Sequence, residues 1–598
     1  MEPSPSPRER LPRSLLFLYG APSFAGAAML VPIYIHLPKF YSDVVGVSLG
    51  YLAIAIAAAR ALDALSDPLV GWLSDRSRSR FGRRRPFIAL GAPLCALAFY
   101  ALFAPPASMD VRAASTWFAL SFVLYFVFHT LYGLPHYALG PELTLDYHER
   151  SRLFGYREGF SILGTVLAAA APGLLMSAGG MSERDAFAAM GAAFAIALTA
   201  SCLLLAVRVR ERRDFAERPS NPFVPGVRRA LRNRPFRILL TSYVVGSAAS
   251  AIPGTFMPFF NAYVIRPDNP GGWLAAFLAA YFGAGFLFLP AWMWAARRFG
   301  KKPTWLASFL FGITGGAGMF FLDRGDTLPT LILIAWSGSS FGAGLFLGPS
   351  IQADVIDYDE LHTGKRREAQ YTSFWAMLTK FVAIPSAAIP IAVLGTLGYV
   401  PNVEQTPQVV LAIKAIFALL PAFFSALAFV AALRFPIDER IHARIRLGIE
   451  AHANGQAAID PLSGDRVLPP RSRAVDEDTG WFLDNFTHAE LASYLAHGWT
   501  RVLARVWFAV LASLAVCGGA SWIVAERVTS LDAEPGAIAV LAIVTAGFAL
   551  AVFFFHLVRL HEARRLLRGE VAPAVVAAWL EGETETPVLA PVAPHALS

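Results

Sequence analysis

Residues 62–86 read LDALSDPLVGWLSDRSRSRFGRRRP. The first part sets Asp63 and Asp67 inside a run that is otherwise mostly apolar from about residue 45 to 73, and the second part crowds arginines directly after it. An apolar run of this length is enough to cross a hydrocarbon core ~30 Å thick. A dense arginine cluster beside such a run is the mark of a loop held on the cytoplasmic side. The stretch therefore reads as a membrane helix with two carboxylates in its middle, ending in a cytoplasmic loop.

The rest of the chain repeats this pattern. Of 598 residues, 56% are hydrophobic and 16% are charged, and the mean hydropathy is +0.49. A soluble domain carries about 25% charged residues, so the polar residues here are too few to clothe soluble domains. This excludes a soluble enzyme, a disordered protein and a nucleic-acid-binding domain, and no nucleic-acid partner is expected. Spans are predicted at about 15–37, 45–73, 87–105, 115–140, 157–178 and 185–207, then at 238–263, 272–296, 304–322, 328–350, 371–397 and 408–434. Two further apolar runs, 503–525 and 536–558, bring the expected total to about 14.

The formal net charge of +8 is not spread evenly. Its clusters (76–85, 148–152, 208–237, 297–302, 365–367 and beyond 434) all fall on one face if both ends of the first twelve spans are cytoplasmic. The alternate loops, 105–114 and 398–408, are poor in Lys and Arg. This predicts a multi-pass protein of the inner (plasma) membrane with both termini cytoplasmic. Cys95, Cys202 and Cys517 lie in apolar runs, so free thiols are expected.

The expected organisation is an all-α integral membrane protein. It has a six-helix bundle over 1–207, a basic cytoplasmic linker over 208–237 and a second six-helix bundle over 238–435. A polar cytoplasmic linker follows over 436–502, mobile by composition, with an amphipathic pattern around WFLDNFTHAELASYLAHGW. Two added helices occupy 503–560, and 561–598 is an Ala- and Pro-rich tail expected to be disordered. SDRSRSRFGRRRP after span 2 is echoed by ARRFGKKP after span 8, which points to two related halves.

Ionisable residues inside a span are costly and are functional candidates by default. Arg60, Asp63 and Asp67 are spaced i, i+3, i+7, one face of a helix. Two carboxylates one turn apart repel, so a proton or a cation belongs between them. With a hydroxyl from a neighbouring helix they make a hard-oxygen cage suited to Na⁺, Li⁺ or H⁺. A structural salt bridge to Arg60 is the alternative, although two acids against one base leave surplus negative charge. Lys380 lies too deep in span 11 to snorkel; it pairs with that surplus either permanently or only until a cation binds. Arg157 and Glu158, with Tyr156, Tyr137 and His136 nearby in sequence, suit a polyhydroxylated ligand, and Tyr and His at span ends are also ordinary interface anchors. Asp354, Asp357, Asp359 and Glu360 at the cytoplasmic end of span 10 face the loops 83–85 and 297–302, either as a gate made in one conformation or as a solvated face.

The stretch 62–86 resembles the signature of the glycoside–pentoside–hexuronide:cation symporters, the melibiose-permease branch of the major facilitator superfamily, and Gly71–Arg85 resembles the superfamily's loop motif G-x-x-x-D-R…G-R-R. LPHYALGPELTLDYHERSRL (134–153), ADVIDYDELHTGKRRE (353–368) and GYVPNVEQ (398–405) are similar to later family segments, so the resemblance covers about 15–435 in order. It implies the two-bundle major facilitator fold with alternating access. It also implies that Asp63 and Asp67 are the cation carboxylates (Na⁺ ligands where the ion is Na⁺) and that Thr130 is the hydroxyl ligand, with Ser66 standing where melibiose permease has asparagine. Arg157 matches a sugar-binding arginine, Tyr137 an aromatic beside the sugar, and Lys380 the charged residue of helix 11. Asp75, Arg76 and Arg84 fall on the loop motif and, with Arg60, Asp354 and Asp357, are the gating or structural candidates. The departures concern the substrate. Two aspartates of the galactoside binders read here as about Ala27 and Gly133, and Trp375 and Ala376 replace polar neighbours of the sugar.

The expected function is cation-coupled (Na⁺ or H⁺) symport of a small sugar or glycoside, with no cofactor beyond the coupling ion. The alternatives are an amphiphile such as a lysolipid on the same fold, and a non-transporting membrane sensor or scaffold; the costly carboxylate pair argues against the last. No phosphate-binding P-loop appears and no extramembrane catalytic domain, so no enzyme activity is expected. With Ser66 in place of an amide, H⁺ is expected to suffice as driver. Helices 13 and 14 lie outside the usual twelve and are expected to anchor, regulate or mediate assembly rather than to serve the transport cycle.

Overall fold

The computed structural model describes residues 10–584 except 78, 80, 145–146, 178, 210, 212–222, 365–366, 470–476, 530–536 and 569–570. Among these residues, eleven helices are long and apolar enough to cross a membrane. Helices over Leu49–Arg76 (span 2), Lys301–Met319 (span 9) and Glu368–Thr396 (span 11) complete the fourteen. The others are span 1 (Arg13–Val45), span 3 (Arg85–Phe103), span 4 (Val111–Leu143), span 5 (Tyr147–Ser177), span 6 (Glu183–Arg208), span 7 (Arg234–Ile265), span 8 (Pro270–Phe299), span 10 (Thr327–Thr363), span 12 (Pro407–Leu433), span 13 (Trp499–Thr529) and span 14 (Ala537–Leu567).

The echo between the two basic loops is matched by packing. In the first half, span 1 packs on 5 and 6, span 4 on 2 and 3, and span 3 on 6. Adding six to each number gives the main contacts of the second half: 7 on 11 and 12, 10 on 8 and 9, and 9 on 12. The halves meet through 2 on 11 and 5 on 8, and the same shift exchanges these two seams. A site near the middle of such an arrangement lies on the axis relating the repeats.

Local sequence explains the joints. Asn233 caps span 7 by accepting from the Phe236 N–H, and its amide donates to the Val355 carbonyl and the Tyr371 hydroxyl, fixing span 7 to spans 10 and 11. The Gly-Arg-Arg of the loop before span 3 binds its own half together. Glu211 accepts from the backbone N–H of Arg83, Arg84 and Arg85 at 2.7, 2.8 and 2.7 Å, a carboxylate on the exposed donors of a helix N-terminus. Arg85 in turn donates to the Ala206 and Val207 carbonyls at the end of span 6. Gly82 has φ +113°, and a Cβ there would lie 2.7 Å from the Glu211 carboxylate, so glycine is required twice over.

The C-terminal third departs from its compositional reading. Where a mobile linker is expected after 436, the helix Glu439–Ala453 packs on span 10 and carries a two-stranded hairpin pairing Ala458 with Val467 and Ile459 with Arg466. Its apolar stripe, Ile441 and buried Ile445, is short enough to vanish in a polar average. Where a disordered tail is expected from 561, span 14 runs on to Leu567 and a helix covers Pro573–Thr584; residues 585–598 lie outside the described part. Val576, Trp579 and Leu580 pack with Phe482, Leu483, Phe486, Leu491, Val502 and Ala563 in a small core of their own. Span 13 packs on 14, and span 14 lies against spans 2 and 11, along one of the two seams between the halves. A Cβ on Gly547 would come 3.0 Å from the Ala61 Cβ, and Phe548 meets Phe381 edge-on.

Replacing Glu211 with Ala should destabilise the first half by about 1–2 kcal/mol, the value of a lost helix N-cap, and Gly82→Ala should do at least as much. Denaturant unfolding of the detergent-purified protein reads both; unchanged midpoints would contradict the capping role.

Candidate functional site

The intramembrane acids of span 2 lie at its centre. Asp63 is buried and Asp67 half-buried, and both turn toward Thr130 of span 4, itself buried. The Thr130 hydroxyl oxygen is 2.8 Å from Asp63 Oδ1 and 3.0 Å from Asp67 Oδ1. A hydroxyl has one proton to donate. The two carboxylates therefore share that one proton, and three oxygens from two helices converge on it. Ser66 does not join them by hydrogen bond: its hydroxyl donates to the Asp63 carbonyl of its own helix at 3.0 Å. Arg60 is buried one turn away, between the rings of Tyr34 and Phe126, 4.3 Å from each centroid, and makes no ion pair among the described residues. Aromatic faces rather than Asp63 hold this cation.

On the basic side of that cluster, Arg157 of span 5 lies 5.2 Å from the Tyr137 ring and 5.0 Å from the Phe154 ring, and its Nε donates to Glu158 at 3.0 Å. Tyr137 is 52% exposed, so ring and guanidinium together offer a stacking face and donors to a ligand. His136 is buried behind them, donating through Nε2 to the Tyr19 carbonyl at 2.9 Å. That bond fixes the Tyr19 backbone and makes His136 a support rather than a contact. Trp375 of span 11 is buried against Tyr243 of span 7, centroids 3.9 Å apart, in the core of the second half. The described contacts do not bring it to Arg157. The side chains of Lys380, Asp75 and Arg76 lie outside the described part, although their backbone is helical.

A second polar cluster, with no warning in the sequence, closes the opposite side. Asp43, at the end of span 1, has a nearly buried carboxylate. It accepts from the hydroxyls of Tyr263 (span 7) and Tyr399 (the loop before span 12), each at 2.6 Å, from Ser42 at 2.6 Å and from Lys39 at 2.7 Å. Asn402 donates to the Asp43 carbonyl at 2.6 Å, and Thr255 of span 7 donates to the Tyr34 carbonyl of span 1 at 3.2 Å. One carboxylate thus clamps the two halves where spans 1 and 7 both end in π-helical turns.

A family model for the MFS/sugar transport proteins matches residues 17–439. The chain belongs to this family. Among relatives, it is 25% identical over 462 residues to the isoprimeverose transporter of Lactiplantibacillus pentosus, covering 76% of this chain and 95% of that protein. It is 25% identical over 446 residues to the sodium-dependent lysophosphatidylcholine symporter 1 of Xenopus tropicalis, covering 67% and 83%. Its fold matches a crystal structure of a D-xylose-proton symporter with TM-score 0.52 at 13% identity, over 71% of this chain and 98% of that one.

Of the two loops the acids of span 10 are expected to face, 83–85 and 297–302, the second supplies a partner to Asp354. Asp354 pairs with Lys301 at 2.7 Å, Asp357 with His442 at 2.9 Å, and Asp359 with Arg367 at 2.8 Å. All these partners belong to the second half or to the helix just after it. Arg84, buried on the first-half side, has its backbone N–H on Glu211.

Asp43→Asn, which removes the charge behind four donors, should shift the balance between the two closures by about ten-fold or more, since hydrogen bonds to a charged group are each worth ~1.5–3 kcal/mol. Spin labels at Asp110 and Val403, on the Asp43 side of either half, should report a longer distance population in the variant. An unchanged distribution would contradict the clamp.

Proposed function

We propose that this protein is a cation-coupled symporter of a sugar or glycoside that works by alternating access. Its basic face lies in the cytoplasm, as the positive-inside bias favours, and both termini are on that side. On this reading the Asp43-clamped arrangement is the state closed to the outside, with Arg157 and Tyr137 reached from the cytoplasm. The observation that carries the proposal is the Thr130 hydroxyl held between Asp63 and Asp67. A membrane protein that only anchored or sensed would have no need of that costly cluster. A cation or proton there cancels negative charge on span 2, a helix that packs on span 11 across the seam between the halves. Occupancy then changes the cost of moving the charged seam, which links the ion gradient to the swing of the halves. The protein's work is transport rather than bond-making, so no catalytic residue is assigned.

A second reading, export or uptake of an amphiphile, is favoured by apolar replacements in the pocket: Ala27 and Gly133 stand where galactoside binders have aspartates. The lysophosphatidylcholine symporter among the relatives fits it as well.

Uptake by proteoliposomes separates these readings with a panel of pentosides, hexosides and lysolipids under Na⁺ and pH gradients. Sugar or glycoside uptake stimulated by Na⁺ or by H⁺ is the expected result. Asp63→Asn should lower that stimulation by at least about ten-fold, a loss of ~1.4 kcal/mol or more of ion binding, while the protein still inserts. With Ser66 bonded to its own helix, an imposed pH gradient alone should drive uptake. Cation stimulation untouched by both Asp63→Asn and Asp67→Asn would reject the site.

A further inference from the structure

Beyond the transport core, the basic face holds an arginine cluster with more cations than acids among the described residues. The helix Phe223–Arg232 leads into span 7 and carries Arg228, Arg229 and Arg232. Asp484 accepts from Arg229 and, at 3.1 Å, from Arg232. Arg559, near the basic end of span 14, takes both oxygens of Glu490 at 2.6 Å, the Asn485 carbonyl at 2.9 Å and His556 Nδ1 at 3.1 Å. Since arginine only donates, that His556 nitrogen is an acceptor and adds no charge. The two carboxylates are therefore used up by three arginines.

Arg228 is the fourth. It is half-buried, and among the described residues no carboxylate pairs with it. Its one hydrogen bond is a long one, 3.4 Å to the Asp484 carbonyl, and the Phe555 ring lies 6.0 Å away. Burial, then the Arg559 charge beside it, pushes its guanidinium down to about 10, so it remains a cation at neutral pH. Around Phe555 on the same turns of span 14, Phe554, Leu557 and Val558 are exposed apolar side chains. A partly desolvated guanidinium thus stands 6.0 Å from the Phe555 ring, on turns of span 14 that expose an apolar surface and lie close to its basic end.

We propose that Arg228, backed by Arg559, binds the phosphate of an anionic phospholipid whose acyl chains lie along the Phe554–Val558 face of span 14. Guanidinium and phosphate match in charge and in bidentate geometry, and basic pockets between helices on the cytoplasmic side are suited to anionic headgroups. A soluble phosphate would meet the cation but leave the adjoining apolar face unused, which is why the lipid is the favoured occupant. The bound lipid would join the helix entering span 7 to span 14, and span 14 lies on the seam of spans 2 and 11.

The test uses the full-length protein purified from mixed phosphatidylcholine and phosphatidylglycerol bilayers, with retained lipid counted by mass spectrometry. Wild type should retain phosphatidylglycerol in preference to phosphatidylcholine. Arg228→Gln should cut that preference by about five-fold, the weight of one arginine at an anionic surface, with Arg228→Lys in between. Arg564→Gln removes an exposed arginine outside the cluster and should leave the preference as in wild type. Arg228 has no ion pair to lose, so its variants should fold, which their elution as the wild-type species would verify. Equal preference in wild type and Arg228→Gln, or an equal loss in Arg564→Gln, overturns the site. Full displacement of the retained lipid by inorganic phosphate at matching concentration overturns the lipid as its occupant.

Discussion

A carboxylate at the centre of a membrane span must be neutralised or hydrated, and the cost of failing to do so is several kcal/mol. Two of them within one turn of span 2 make that constraint the hinge of this protein. The answer built into the fold is a hydroxyl from span 4 with one proton for two acceptors, 2.8 and 3.0 Å away. On the function proposed here, that shared hydroxyl and the two carboxylates are where the coupling ion binds. Its place on a helix that packs on span 11 turns an ion-binding event into a bias on the relation between halves.

That relation is symmetrical in architecture and asymmetrical in chemistry. The two six-helix halves repeat the same packing, and the seams 2–11 and 5–8 exchange under the repeat. The closures do not repeat. On one side, a single buried carboxylate at Asp43 gathers tyrosines from the other half. On the other, among the described contacts, Lys301 pairs with Asp354 and Arg85 donates to the carbonyls at the end of span 6, each within its own half. The Asp43 network is thus made across the halves, as one closure of a two-state rocking machine requires. The added helices are not clear of this movement, because span 14 lies along one of the seams.

The spans, their count and the repeat were legible because hydropathy over twenty residues and the segregation of arginine are strong, local signals. Asp63 and Asp67 were legible as charges out of place; Thr130, one hydroxyl among many in apolar runs, stood out only through the resemblance to a family. Asp43 could not be read, since an acid at a span end looks like any interface residue and Tyr399 lies 356 positions away. Glu211 was hidden for the same reason among the charges of the central loop, 126 positions from Arg85. The helices after residue 436 escaped because a short apolar stripe on a polar helix leaves composition polar. The span 10 acids were legible as partners of the basic loop 297–302, which supplies Lys301 to Asp354. The helix after residue 436 that supplies His442 to Asp357 was not, because opposite charge decides that partners exist, not which element supplies them.

The claim on which the account rests is that Asp63, Asp67 and Thr130 share one proton or one cation. Infrared difference spectroscopy of the purified protein addresses it directly, at neutral pH with and without Na⁺. The account predicts a protonated-carboxyl band in Na⁺-free buffer that disappears in Asp63→Asn and in Asp67→Asn but persists in Asp354→Asn. A spectrum with no such band, together with no bound cation by ion analysis, would contradict it.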